Sequence, residues 1–142
     1  MKPSLVSIEL DKREYMHGEP GHRYLIPEIG ILKAKLIASN VGLESIKLPF
    51  SDGQRYDFII RDSEENEVIR WSKGRIFPEV IGEEVIGAGD HLTYTETLPL
   101  GVDGPPIEKP LPIGEYTIEG VITADISTML NDSTGFRIIP TP

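Results

Sequence analysis

Apolar and polar residues alternate with a period of two along most of the chain. Val6, Ile8 and Leu10 share one side of a first segment, with Ser7 and Glu9 on the other. Leu32, Ala34, Leu36 and Ala38 alternate with Lys33 and Lys35. A helix would place apolar residues three and four apart, so this stretch predicts a strand. The same alternation predicts strands over residues 46–50, 56–61, 69–71, 92–98, 116–124 and 136–138. Turn-forming residues separate them, among them Asn40-Val41-Gly42, Asp52-Gly53, Glu65-Asn66, Gly87-Ala88-Gly89-Asp90 and Asp103-Gly104-Pro105-Pro106. Only residues 78–84 hint at a helical turn. About eight strands at this spacing predict an all-β sandwich or barrel.

Two aromatic residues sharpen that expectation toward a sandwich. Tyr116 follows Pro112-Ile113-Gly114-Glu115 at the start of a strand. There its ring can enter the core and its hydroxyl can return to the loop backbone, as in the tyrosine corner of immunoglobulin-like domains. Trp71, the only tryptophan, lies mid-chain on a predicted strand and is expected in the core.

Composition narrows the class. A chain of 142 residues predicts a single domain spanning 1–142. Its 14 glycines and 12 prolines follow no collagen period, in keeping with many turns between short strands. With no cysteine, disulfide scaffolds, thiolate metal sites and cysteine nucleophiles are excluded. A formal charge of −9 argues against nucleic acid as a partner, because phosphate backbones attract basic surfaces. No segment is long and apolar enough for a membrane span, and Glu9, Asp11 and Lys12 interrupt any leader-like run. The expectation is a soluble cytoplasmic protein.

The search for chemistry yields no catalytic residue, no metal site and no cofactor motif. His17 and His22 flank Glu19 in a Gly/Pro-rich loop, without diagnostic ligand spacing. Asp62, Glu64, Glu65 and Glu67 crowd one predicted hairpin but lack the ordered oxygen ligands of a calcium loop. They read as a solvated turn. A binding or interaction module is therefore favoured over an enzyme.

The central block carries more. It runs Gly53-Gln54-Arg55-Tyr56-Asp57-Phe58, then an acidic turn, then Arg70-Trp71-Ser72, with Phe77 beyond Gly74. Leu36 to Asn40 precedes an Ile-Lys-Leu-Pro-Phe segment, and Pro112-x-Gly114-x-Tyr116 leads into a late strand. Over about residues 30–125 the chain resembles the BsuPI-type intracellular proteinase inhibitor family. The resemblance implies an immunoglobulin-like antiparallel β-sandwich of about seven to eight strands. From the founding member it also implies an intracellular serine protease of the subtilisin type as partner. Asn40, Gln54, Tyr56, Asp57, Phe58, Trp71, Ser72, Phe77, Gly114 and Tyr116 are the matching residues, and they look like fold determinants. Asp57 has three possible partners: the Asp52-Gly53 turn, Arg55 and Arg70.

A substrate-like inhibitor needs an extended loop already fixed in its bound shape. Without cysteine, that rigidity must come from packing and proline. Two segments qualify. The first follows Trp71 and contains Lys73, Gly74, Arg75 and Ile76. The second runs from Leu100 through Pro105, Pro106, Ile107 and Lys109, with Pro110 blocking cleavage after the lysine. Leu100 and Ile107 are its expected apolar anchors. The competing expectation is a non-inhibitory immunoglobulin-like interaction module. A sugar-binding sandwich would need an exposed Trp71 to stack on the ring.

Overall fold

Every regular element among the described residues is a strand, as the period-two pattern requires. The structure is a computed structural model and describes residues 4–17, 30–100 and 111–140. Ten strands follow in order: β1 (Ser4–Leu10), β2 (Glu14–Met16), β3 (Ile31–Asn40), β4 (Ile46–Phe50), β5 (Tyr56–Asp62), β6 (Glu67–Arg70), β7 (Gly82–Ile86), β8 (His91–Pro99), β9 (Gly114–Ile122) and β10 (Leu130–Ile139). They form a three-stranded sheet β1-β3-β8, a five-stranded sheet β2-β10-β9-β5-β6 and a two-stranded ribbon β4-β7. All pairings are antiparallel except the short one between β10 and β2.

The two larger sheets face each other across one core. Leu32, Ala34, Leu36 and Ala38 of β3 are buried, as their alternation predicts. Tyr116, Ile118 and Ile122 of β9 meet them from the other side, and Leu48, Phe50 and Ile86 of the ribbon complete the cluster. The sheets approach most tightly at Gly120. A Cβ there would lie 2.7 Å from Leu36 Cδ1 and 3.3 Å from both Ile8 and Phe58. β5 lies inside the larger sheet, between β9 and β6, and its residues 57–60 are all buried. An inner strand covered on both faces loses the alternation of burial that half-buried strands show.

Polar groups fix the seams. The Tyr116 hydroxyl donates to the Pro112 carbonyl oxygen at 2.6 Å while its ring stays buried, so the tyrosine corner is present. Asn40, also buried, closes the end of β3. Its Nδ2 donates to the carbonyls of Glu44 and Ile86 at 2.7 and 2.9 Å, and its Oδ1 accepts from the Gly42 N–H. An amide satisfied in this way avoids the penalty of a buried, unpaired polar group. On the outer edge of β1, the Ile8 N–H donates to Asp132 Oδ2 at 3.0 Å, which places a carboxylate where another strand would otherwise pair.

Several expectations need correction. Residues 78–81 form no helical turn, and residues 82–84 belong to β7. β2 and β7 bring the strands to ten, and β10 begins at Leu130 instead of near Phe136. Trp71 sits on the turn immediately after β6, not on the strand. Leu100, expected as a surface anchor, is 1% exposed and belongs to the core. Leu111 donates its N–H to the Leu100 carbonyl oxygen at 2.9 Å, so both residues are drawn inward at the ends of 101–110. His22, Glu19, Pro105, Pro106, Ile107 and Lys109 lie outside the described residues.

Two predictions follow from neighbouring positions on β9. Gly120→Val overpacks the gap between the sheets, and should lower stability by about 1–3 kcal/mol in urea unfolding. Glu119 concerns acid stability. Burial raises its carboxyl, but hydrogen bonds from Asn131 and Arg61, together with the Arg61 charge, outweigh that and hold it below the usual range. A depressed folded value gives stability that is complete above the unfolded pKa, about 4.3, and is lost as pH falls through the folded value. The urea midpoint should therefore fall below about pH 4, and Arg61→Gln should flatten part of that fall.

Candidate functional site

The pairing of β5 with β6 decides where the surface loop sits. Ile59 lies opposite Arg70 and Ile60 opposite Ile69. The register continues one step into the turn, where the Trp71 N–H donates to the Phe58 carbonyl oxygen at 2.9 Å. The next step brings Ser72 against Asp57. The Ser72 N–H donates to Asp57 Oδ1 at 3.0 Å and its hydroxyl donates to Oδ2 at 2.5 Å. The Phe58 N–H also donates to Oδ1, and Arg70 reaches Oδ2 at 3.3 Å. Asp57 is 3% exposed. Of its three possible partners, Arg70 is the one it meets. Arg55 turns away to the Asp52 carbonyl oxygen and to Glu84, and Asp52 caps its own turn through the Gln54 N–H.

Held at Ser72, the chain reverses. Lys73 and Arg75 donate their N–H groups to the carbonyls of Arg70 and Ser72, at 3.1 and 3.0 Å. Gly74 adopts φ +80°, a left-handed conformation that glycine takes without a steric penalty. Trp71 is 7% exposed and forms the floor beneath this turn. Its ring stacks on Tyr56 at 4.9 Å, and Tyr56 stacks in turn on Tyr94 at 4.6 Å. Phe77 makes a tilted contact with the indole at 5.8 Å, and the Arg75 guanidinium lies 4.3 Å over the ring. Tyr56 donates its hydroxyl to Glu96. Burial, then the Glu96 hydrogen bond and charge, push that hydroxyl above its ordinary pKa, so it remains a donor at neutral pH.

The segment that follows has no regular secondary structure before β7 and is pinned at Arg75 and Pro78. The Arg75 Nε donates to the Trp71 carbonyl oxygen at 2.9 Å. Gly53 donates its N–H to the Pro78 carbonyl oxygen at 2.7 Å, and a Cβ at Gly53 would stand 2.7 Å from Pro78 Cδ. Between these fixed points Ile76 is 95% exposed, and Ile81 further on is 83% exposed. Val80 is exposed as well. Lys73, Gly74, Arg75 and Ile76 therefore lie together on the surface, while Tyr56, Asp57, Phe58, Trp71, Ser72 and Phe77 form the support beneath them. Gln54 braces β5 from its end, its Nε2 donating to the Tyr56 carbonyl oxygen. Trp71, expected in the core, is buried and leaves no open ring face for a sugar.

The acidic hairpin has a structural use. Asp62 Oδ1 accepts from the Glu64 and Asn66 N–H groups at 2.9 Å each. No helix among the described residues is long and apolar enough to cross a membrane.

Fold and surface together define a class: a cysteine-free β-sandwich that holds an exposed apolar segment by packing and hydrogen bonds. The chain belongs to the BsuPI family of intracellular proteinase inhibitors, whose sequence profile it matches over residues 26–126. No curated protein matches it. Among solved structures it resembles the Pseudomonas fluorescens alkylpurine DNA glycosylase AlkC bound to DNA, with a TM-score of 0.52, 11% identity, and coverage of 96% of this chain and 30% of that one. It also resembles the Bacillus subtilis sporulation control protein Spo0M, with a TM-score of 0.51, 15% identity, and coverage of 100% of this chain and 51% of that one. The chain thus spans about a third of the first protein and half of the second. At these identities the likeness is one of fold alone.

Replacing Asp57 by Ala leaves the Ser72 and Phe58 N–H groups without their acceptor and removes a charged hydrogen-bonding partner. We expect a loss of about 2–3 kcal/mol in urea unfolding. The Trp71 emission of the folded variant should move to longer wavelength as the turn loosens.

Proposed function

We propose that this protein inhibits an intracellular subtilisin-type serine protease by presenting residues 75–81 to the cleft in an extended conformation. The observation that carries this reading is Ile76, 95% exposed between neighbours that are both held against Trp71. An exposed apolar side chain on a backbone held on both sides suits a hydrophobic specificity pocket, because little ordering remains to be done on binding. Proteins that bind extended peptides usually pair with their main chain and take alternate side chains into pockets. The family match supports a protease partner, and the whole chain is read as one immunoglobulin-like domain. The tyrosine corner and the packing of sheet β1-β3-β8 against β9 and β5 support that reading. The stretch with Pro105, Pro106, Ile107 and Lys109 remains a second candidate contact.

Stoichiometric protein should slow an intracellular subtilisin. Ile76→Asp should weaken inhibition by about 30-fold or more, the scale of an interface hot spot. Its urea midpoint should stay within error of the parent, since the side chain touches so little of the core. Equal inhibition by parent and variant would move the contact to 101–110. No inhibition by the parent across the intracellular serine proteases would favour the non-inhibitory interaction module.

A further inference from the structure

A pocket of about 480 Å³ lies between the turn after β6 and the end of β8. Trp71, Lys73 and Arg75 line it on one side, and Thr97, Leu98 and Pro99 on the other. That volume falls within the range of small-molecule and side-chain sites. Two independent features mark it out. The Trp71 indole N–H is buried and donates to nothing, an arrangement that costs free energy unless an acceptor arrives. In addition, neither Lys73 nor Arg75 pairs with a carboxylate among the described residues. This holds in a chain with nine more formal negative than positive charges.

We propose that this pocket binds a carboxylate carried on an apolar stem, supplied by a peptide. Lys73 and Arg75 provide the positive charge. Stacking on Trp71 and the bond from its Nε to the Trp71 carbonyl oxygen hold the Arg75 side chain in place, and the guanidinium keeps its terminal donors for a bidentate contact. The indole N–H adds a neutral donor. Pro99, half-buried at the end of β8, adds an apolar wall that a bare hydrated anion would not use, beside the polar Thr97. A peptide C-terminus and a glutamate side chain share this chemistry. The site adjoins the proposed inhibitory segment, but its occupancy does not depend on protease inhibition.

The test uses the full chain without protease. Three N-acetylated tripeptides serve as probes: Ala-Ala-Leu with a free C-terminal carboxylate, the same peptide as its C-terminal amide, and Ala-Glu-Ala as its amide. Binding is followed by calorimetry and by the indole N–H resonance, which is unique because Trp71 is the only tryptophan. At least one carboxylate peptide should bind about tenfold more tightly than the neutral amide, move the indole resonance downfield and weaken with salt. Whichever of the two binds more tightly identifies the source of the carboxylate. Lys73→Glu combined with Arg75→Glu should remove the preference in a protein that still unfolds cooperatively in urea, and a milder Arg75→Lys variant, which keeps the charge, should keep part of it. Equal affinity for the neutral peptide, an unmoved indole resonance, an unaltered preference in the double variant, or tighter binding of inorganic phosphate than of either carboxylate would overturn the proposal.

Discussion

The buried carboxylate of Asp57 is the constraint on which the exposed surface of this protein depends. A carboxylate withdrawn from water is costly unless its oxygens find donors. Here two backbone N–H groups, a serine hydroxyl and an arginine all supply them. Because Ser72 lies across from Asp57 in the β5–β6 register, satisfying the carboxylate also fixes where the chain turns. That turn sets Trp71 onto Tyr56, brings Arg75 and Phe77 against the indole, and starts residues 75–81 along a defined path. A small secreted inhibitor would use disulfides for this task. This chain uses one carboxylate, an aromatic stack and a glycine that lets two backbones touch.

Asn40 does the same work at the other end of the sandwich. Its amide joins the end of β3 to the loop before β4 and to β7, while its backbone bonds to the turn before β8. Both are polar residues buried in or at the end of a core strand, and both have partners far along the chain. Their value is therefore specificity as much as stability. A strand slipped by one residue would turn its buried set outward and strand these polar groups as well.

The sequence made most of the architecture legible, because alternation is a local property that solvent exposure imposes residue by residue. β3 carries buried residues at Leu32, Ala34, Leu36 and Ala38, as its pattern foretells. The failures occur where strand character is granted by a partner. β7 reads Gly-Glu-Glu-Val-Ile, with little propensity of its own, and becomes extended through pairing with β4. β2 spans three residues and exists through a parallel contact with β10, more than a hundred residues away. Residues 131–135 of β10 are polar or glycine, so their pairing with β9 leaves no apolar trace. Asp57 shows the same limit within the site: residue type announced a polar group in a strand, but only the register selected Arg70 and Ser72. Leu100 departs from its local pattern for a related reason. Proline-rich surroundings suggest a surface loop, yet the bonds of Leu100 to Gly30 and Leu111 draw its side chain into the core.

The acidic balance acquires meaning once the cations are traced. Arg55, Arg61, Arg70 and Arg137 each meet a carboxylate. The more exposed of these pairs add little stability, but all four cancel positive charge locally. Lys73 and Arg75 are not cancelled in this way, and both stand on the turn that Asp57 holds. Two neighbouring cations on one turn of a net negative chain concentrate the attraction for an anionic group at that turn. The charge of the whole chain therefore bears on the carboxylate pocket directly: a more basic protein with the same turn would bind acidic groups in many places and select none of them.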